Sequence, residues 1–542
     1  MTTPSYDLAV VGSGGAALVA ACVAADRGLK TIVLESTDLI GGTTALSGGQ
    51  MWIPDSAAMS RAGLSDSPEE ALEYLRRVCL GMSTDESLRA FLRDAPRFID
   101  YLENDLGIPV VSVDRHDYHP DWAGAARGRT VEPLPVSTEG LGAWRERTRT
   151  SPTRRPVTGP ESRRGIEEDV LLERESLDVR TQGSGLAAGL VKAALSRGVE
   201  LRVRARVSAV TRSEITFVVT AGADKLTASN VLLASGGFAR NAGLRRNFLP
   251  AVDIVPTAAP GACGDGLELG ISLGGRLKGM AEAWWTPAVS IDGELIDGLP
   301  LHRNVVRELA FPGSILVNAA GHRFVNEASS YNDLAKAFHA FDPSTHTFPN
   351  QPAWLIFDAE FKNQRSVAGS GPGTPVPNNF VQAPDLESLA QQCRIDPAGL
   401  RRTIGAFNQA AASGVDEQFG RGGNPHDRFN GDETHLPNPC LGAMGDGPVF
   451  AVPIVLGANG TKGGLITDEL SRVLNSGGEP IDGLFAVGEC AAALMGPGYA
   501  GSGASLGPAL TAAFTLAQSF TPPISSRPGG HIISAIGSNF SS

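Results

Sequence analysis

Cysteine is scarce in this chain: six residues (Cys22, Cys79, Cys263, Cys393, Cys440 and Cys490) among 542, far apart, with no C-x-x-C pair and no cluster with histidine. That excludes a disulfide framework and a zinc or other metal site of the usual spacing, and it suits buried free thiols in a reducing compartment. Aromatic residues are only 6% of the chain, so individual tyrosines carry information. Positive charge is also short: Lys+Arg 46 against Asp+Glu 58 gives a net charge of -12. A field of that sign opposes phosphate backbones, so nucleic acid is not the general partner. Long apolar runs are missing. The stretch 8–25 has Gly-Ser-Gly-Gly in its middle and no basic flank, so it reads as strand, turn and helix, not as a leader or membrane span. No other stretch offers the ~20 apolar residues that cross a bilayer, and the expectation is a soluble, cytoplasmic protein.

Glycine is plentiful, 65 residues, and hydrophobic residues reach 42%. Such a chain is globular with many tight turns, and at roughly 150–200 residues per domain its length allows about three domains' worth of material. An apolar run ending at Val11 is followed by Gly12-Ser13-Gly14-Gly15-Ala16-Ala17, by an alanine-rich helical stretch to Gly28, and by a strand-like segment ending in Glu35. This is the β-α-β opening of a dinucleotide fold. Gly12 turns the chain sharply, Gly14 admits a pyrophosphate close to the backbone, and Ala17 keeps helix and sheet close. The N–H groups at the helix start then hold phosphate. Glu35 can accept from both ribose hydroxyls of an adenosine and would repel a 2′-phosphate, which favours FAD or NAD over NADP. Gly41-Gly42-Thr43-Thr44-Ala45 and Ser47-Gly48-Gly49 form a second backbone track. A long cofactor reaching from pyrophosphate to flavin needs such a track; NAD does not.

Further along, Ser67-Pro68-Glu69-Glu70 reads as a capping box that starts a helix. Residues 185–196 read as a helix, 200–207 as a strand and 215–227 as a hairpin. The run 231–237, containing Ala234, Gly236 and Gly237, is a strand running into a turn, and Gly264-Asp265-Gly266 marks a helix start. From Trp284 to about Val452 the texture changes to prolines, histidines and short elements. Cofactor-fold texture returns in Gly460-Thr461-Lys462-Gly463-Gly464 and in 483–489, a buried strand bringing Gly488 and Glu489 to a cofactor edge. Seven arginines in 145–164, against Glu146 and Glu161, read as a solvated loop. The expected fold class is α/β: a Rossmann-like FAD-binding domain (1–282 and 456–520), an inserted α+β catalytic or capping domain (283–455), and a flexible tail (521–542).

Four motifs stand out: Gly41 to Pro54 (GGTTALSGGQMWIP); Asp117-Tyr118 followed by Gly128-Arg129-Thr130; Gly321-His322-Arg323-Phe324-Val325-Asn326-Glu327 with Tyr331; and Gly498-Tyr499-Ala500-Gly501-Ser502-Gly503. Together they resemble the 3-ketosteroid Δ1-dehydrogenase family, within the fumarate reductase/succinate dehydrogenase flavoprotein superfamily, over about residues 5–518. Of six tyrosines (6, 74, 101, 118, 331 and 499), three fall in these motifs, while Tyr74 and Tyr101 lie on predicted helices as packing residues.

The resemblance implies an FAD-dependent oxidoreductase that opens steroid degradation by placing a C1–C2 double bond in the A ring of a 3-ketosteroid. The Tyr499 hydroxyl and the Gly503 N–H would donate to the C3 carbonyl, each worth on the order of 3 kcal/mol in a dry site. Tyr331 would take the C2 proton, helped by a hydrogen bond from Tyr118, and the C1 hydride would pass to flavin N5. The resemblance also implies that Gly12, Gly14, Gly15, Glu35, Ser36, Gly42, Thr43, Thr44, Ser47, Gly49, Val207, Glu489, Ser505 and Leu506 touch FAD. Ser13, Ala16, Gly48, Ala234, Gly236, Gly237, Asp265 and Gly488 join them as candidate contacts by their places in the runs above. No histidine lies near Ala45, where membrane-bound relatives attach flavin, so FAD is expected to be non-covalent. The electron acceptor is unknown, a quinone being one candidate.

Two enzymatic alternatives stay open. One is a soluble fumarate-type reductase acting on a small carboxylate, for which His302, Arg303, Arg307, His322 and Arg323 supply clamp residues. The other is a Δ4-type ketosteroid dehydrogenase. A non-catalytic flavin or electron carrier would not need the three tyrosines.

Overall fold

The computed structural model describes residues 3–213, 215–250 and 253–521. Strand Ser5–Val11 lies inside an eight-stranded sheet, parallel to Thr31–Leu34 on one side and to Asp224–Leu233 on the other. Glu200–Arg202 extends the parallel array beyond Thr31–Leu34, and Pro480–Ala486 extends it beyond Asp224–Leu233. Thr31–Leu34 is buried at every position, as strands covered on both faces must be. Helix Gly15–Asp26 is buried from Gly15 to Ala24 and packs against helices Gln182–Ser196 and Leu506–Ser519. Its small residues let the neighbours approach closely.

The segment expected as one strand over 200–207 is split. Glu200–Arg202 joins the parallel array, while Val207–Ser213 starts an antiparallel meander through Thr216–Ala221 into Asp224–Leu233. Arg204, at φ 55°, stands in the break between them. Helix Pro68–Val78 begins as expected, with Ser67 Oγ accepting from the Glu70 N–H at 3.2 Å.

A seven-stranded second sheet is organised around strand Val449–Thr461. That strand pairs antiparallel with Ala283–Ile296, Ala353–Asp358 and Val381–Ala383, and parallel with Ile254–Pro256. The boundary expected at 455/456 falls inside this continuous strand. Helix Tyr331–Lys336 packs on Ala283–Ile296 of this second sheet. Of the expected tail only Thr521 is described; the rest lies outside the described residues. The six cysteines are unpaired, and among the described residues no helix is long and apolar enough to cross a membrane.

Candidate active site

One cavity of about 1400 Å³ runs from the ends of the parallel strands to the second sheet. At its first end the strand-to-helix turn is set by Gly12 (φ 102°), where a Cβ would meet the Ala234 carbonyl oxygen at 2.5 Å. Glu35, at the end of Thr31–Leu34, is buried and accepts from Ser13 Oγ (2.6 Å) and Thr37 N (2.7 Å). Thr44 Oγ1 accepts from the Gly15 N–H at 3.0 Å, joining the two glycine tracks. Every residue named above as a cofactor contact lines this cavity except Gly237. Gly237 stands behind the wall, donating to Glu489 Oε2 at 3.2 Å, with Thr461 Oγ1 filling the place of a side chain. Burial pushes the Glu489 carboxyl up to about 7.

Two helices point N-termini at the cavity with no cap from their own N-cap residues, though Thr44 takes the Gly15 N–H of the first. Gly14 supplies no side-chain cap to Gly15–Asp26, and Ser505 supplies none to Leu506–Ser519. Among the described residues the N–H groups of Gly503, Ser505 and Leu506 have no acceptor. Free donors at a helix start attract phosphate at the first site and an electron-rich ring edge at the second. A flavin dinucleotide fits this donor set.

Three tyrosines meet at the other end. The ring centroids of Tyr118 and Tyr331 are 5.7 Å apart, those of Tyr118 and Tyr499 5.3 Å, and those of Tyr331 and Tyr499 5.4 Å, all packed edge to face. Tyr331, Tyr499 and Gly503 line the cavity, and Tyr118 stands behind them. The Tyr118 hydroxyl is buried, and its ring packs edge-on to that of Tyr331, close enough for the two phenols to interact. Gly503 has φ 87°, and a Cβ there would meet the Gln50 backbone at 2.4 Å, so only glycine leaves this N–H facing the cavity.

Burial pushes the Tyr331 phenol well above its usual range, and Tyr118 and Tyr499 push the same way. Burial likewise takes Tyr499 up to about 12.

The trio is held by buried polar struts. Arg129 spans Asp66 (2.6 Å) and Asp117 (2.8 Å), and Asp117 also accepts from Trp52 Nε1 at 2.7 Å. Tyr118 N and the Tyr74 hydroxyl both donate to the Ala500 carbonyl, at 3.0 and 2.6 Å, which ties the Tyr118 loop to the Tyr499 loop. Tyr74 therefore does more than fill space.

A family model described as an FAD binding domain matches residues 7–506. The chain is 36% identical over 525 residues to 4-oxocyclohexanecarboxylate 2-dehydrogenase of Sinomonas cyclohexanicum, covering 94% of this chain and 91% of that protein. It is 32% identical over 554 residues to 3-oxosteroid 1-dehydrogenase of Mycobacterium tuberculosis, covering 94% and 97%. The chain belongs to the 3-ketosteroid dehydrogenase family of flavoproteins. A crystal structure of 3-ketosteroid delta1-dehydrogenase from Sterolibacterium denitrificans superimposes with a TM-score of 0.88 at 33% identity, over 95% of this chain and 99% of that one. The α/β fold class and FAD as cofactor follow, and the protein is an FAD-dependent dehydrogenase.

In this flavoprotein the clamp considered for a fumarate-type reductase is not assembled. His302 is bound to Ser290 (2.7 Å), Arg303 pairs with Glu294 (2.6 Å), and Arg323 is buried between Glu327 and Asp416. His322 is exposed, and of the five only Arg307 reaches the cavity.

The segment 145–164 is solvated at Arg145, Arg147, Arg155 and Arg164, as expected, but part of it forms a wall. Arg149 is buried against Asp297 at 2.7 Å, Thr158 and Glu161 form a capping box, and Arg154 and Arg163 line the cavity. Net charge hid this, because a chain total says nothing about where guanidinium groups converge.

Sequence reasoning also passed over Lys462 and His426. Lys462 Nζ donates to Asn332 Oδ1 (3.2 Å), Pro497 O (3.0 Å) and Gly498 O (2.8 Å) and sits 4.5 Å from the Trp284 ring, so it joins the Tyr331 helix to the Tyr499 loop. Burial pushes its ammonium down to about 7, with Lys336 adding to that and Glu282 and Asp333 opposing it. A lysine inside a glycine-rich strand end was the available signal. His426, 4.7 Å from the Tyr118 ring, is held neutral by burial; no motif marked it.

Proposed function

We propose that the protein desaturates a ring ketone next to its carbonyl, with the C1–C2 bond of a 3-ketosteroid A ring as the reading carried over from the family. The observation that carries it is the meeting of three tyrosines from three distant segments beside the unpaired Gly503 N–H, at one end of a cavity whose other end suits FAD. The two curated relatives above are named for different substrates, an oxocyclohexanecarboxylate and a 3-oxosteroid. A ring ketone is what they share.

The Tyr499 hydroxyl and the Gly503 N–H donate to the ketone oxygen and stabilise charge that develops as the α proton leaves. Tyr331, as phenolate, takes that proton, and Tyr118 and His426 keep water from the base. The turn at Gly12–Gly15 and the Ser505 and Leu506 N–H groups would hold FAD, which would supply an acceptor for the hydride of the β carbon. Lys462 keeps the helix carrying Tyr331 in place against the Tyr499 loop. Segments 1–282 and 456–520 hold the cofactor, and 283–455 carries Tyr331 to it. No histidine lines the cavity among the described residues, which supports a non-covalent flavin.

The test is anaerobic addition of a saturated-A-ring 3-ketosteroid to the purified yellow protein. Bleaching of the flavin with formation of the Δ1 product is the expected result. Bleaching by succinate, with none by any ring ketone, would overturn it in favour of small-acid chemistry.

A further inference from the structure

On the ring-ketone reading above, we propose that the substrate carries a carboxylate close to the reacting ring, received by an arginine wall formed by Arg115, Arg154, Arg163 and Arg307. All four line the same cavity as Tyr331 and Tyr499. Neighbouring arginines have their own acids: Arg127 pairs with Asp114, Arg149 with Asp297 and Arg365 with Asp432. Arg115, Arg154, Arg163 and Arg307 form no ion pair among the described residues.

The wall begins at the catalytic trio. Arg115 lies 5.0 Å from the Tyr118 ring centroid and 5.0 Å from that of Phe429, and Arg163 lies 3.8 Å from Phe429 on the same ring. The Nε atoms of Arg115 and Arg307 are buried without a hydrogen-bond partner. Arg154 is enclosed by protein while much of its surface stays open to the cavity, and its guanidinium donates to Gln182 Oε1 at 2.8 Å. It is near enough to Tyr331 for their charges to interact.

The acids in the neighbourhood offset this wall only in part: Glu132 acts on Arg154 and Glu308 on Arg307, neither in an ion pair. Glu132 and Glu308 are pushed by burial toward the uncharged form, and neutral donors hold them: Gln50 and the Gly159 N–H for Glu132, the Val306 and Ala368 N–H groups for Glu308. Glu433 acts on Arg163 without an ion pair. Arg307 is lowered first by burial and then by Arg163, with Glu308 opposing and Arg115 and Arg365 adding to it. Arg115, Arg163 and Arg307 repel one another, and Arg154 faces the same cavity beside Tyr331. An incoming carboxylate removes that repulsion and meets three guanidinium groups already set against aromatic rings, Arg115 and Arg163 on Phe429 and Arg307 on Phe311. Because the wall touches the tyrosines, the anion belongs near the ketone ring. That favours a compact keto acid over a steroid acid whose carboxylate sits on a distant side chain.

The experiment compares kcat/KM, with a dye as acceptor, for four probes: a cyclohexanone bearing a carboxylate opposite the ketone, its methyl ester, a 3-ketosteroid with a side-chain carboxylate, and a neutral 3-ketosteroid. The compact acid is expected to lead, exceeding its ester by ~100-fold, with the ratio falling about tenfold in Arg154→Met and again in Arg307→Met, the usual effect of losing one charged hydrogen bond. Binding is read separately from turnover. 4-Hydroxybenzoate should perturb the flavin absorption of the wild-type protein at concentrations where phenol does not.

Turnover of the ester or the neutral steroid at least as fast as that of the compact acid overturns the anion proposal and leaves the ring-ketone reading intact. So does an acid-to-ester ratio unmoved in both variants. A leading steroid acid overturns the compact placement of the carboxylate. Failure of all four probes overturns the ring-ketone reading, and this proposal with it.

Discussion

At the first end of the cavity the groups turned toward the cofactor belong mostly to the main chain: the turn at Gly12, the starts of two helices, and the donors at Ser505 and Leu506. At the other end the work falls to side chains, and Tyr118, Tyr331 and Tyr499 come from a loop, a short helix and a glycine-rich loop far apart along the chain. Backbone donors are set by local conformation, which glycine spacing records. The second kind of site exists only once Arg129, Tyr74 and Lys462 have drawn distant segments together. Damage at one end should therefore leave the other working.

The sharpest way to break that division is Tyr331→Phe. FAD content and the flavin spectrum should be unchanged while kcat falls by ~10²–10⁴, the range for loss of a general base. Near-normal single-turnover rates would remove Tyr331 from the proton step. The converse change is Gly12→Ala, where the new methyl collides with the Ala234 carbonyl. Overpacking of ~1–3 kcal/mol should weaken FAD binding by roughly 5- to 150-fold while turnover per bound flavin stays near wild type. Equilibrium dialysis with FAD measures it, and unchanged affinity would mean the turn relaxes freely.

A third test lies in pH. A base whose conjugate acid is held above the ordinary phenol value of 10.0 is mostly protonated at neutral pH. Its phenolate fraction grows by about tenfold per pH unit until the pKa is reached. The kcat of the chemical step should climb from pH 6 to 10 without a plateau, and a flat profile would contradict the tyrosine base.

What could be read in the sequence follows the same division. The β-α-β opening, Glu35 and the second glycine track are local patterns, and each maps onto the cavity lining. The second sheet was visible only as a change of texture, because its strands find partners far away and its central strand, Val449–Thr461, pairs with four others. Arg154 and Arg163 were misread because a run of arginines looks the same on a surface and in a cavity wall. His426 left no trace because its neutrality and its contact with Tyr118 are products of burial.

The parallel sheet is finished by Pro480–Ala486, and helix Gly15–Asp26 is covered by Leu506–Ser519. A nascent chain that has emerged only as far as the second sheet thus presents an exposed strand edge and an alanine-rich helix covered by Gln182–Ser196 alone, and lacks one of the two helix starts that grip the cofactor. Flavin capture must wait until Leu506–Ser519 is in place, and until then the unfinished half carries an edge of the kind that invites aggregation.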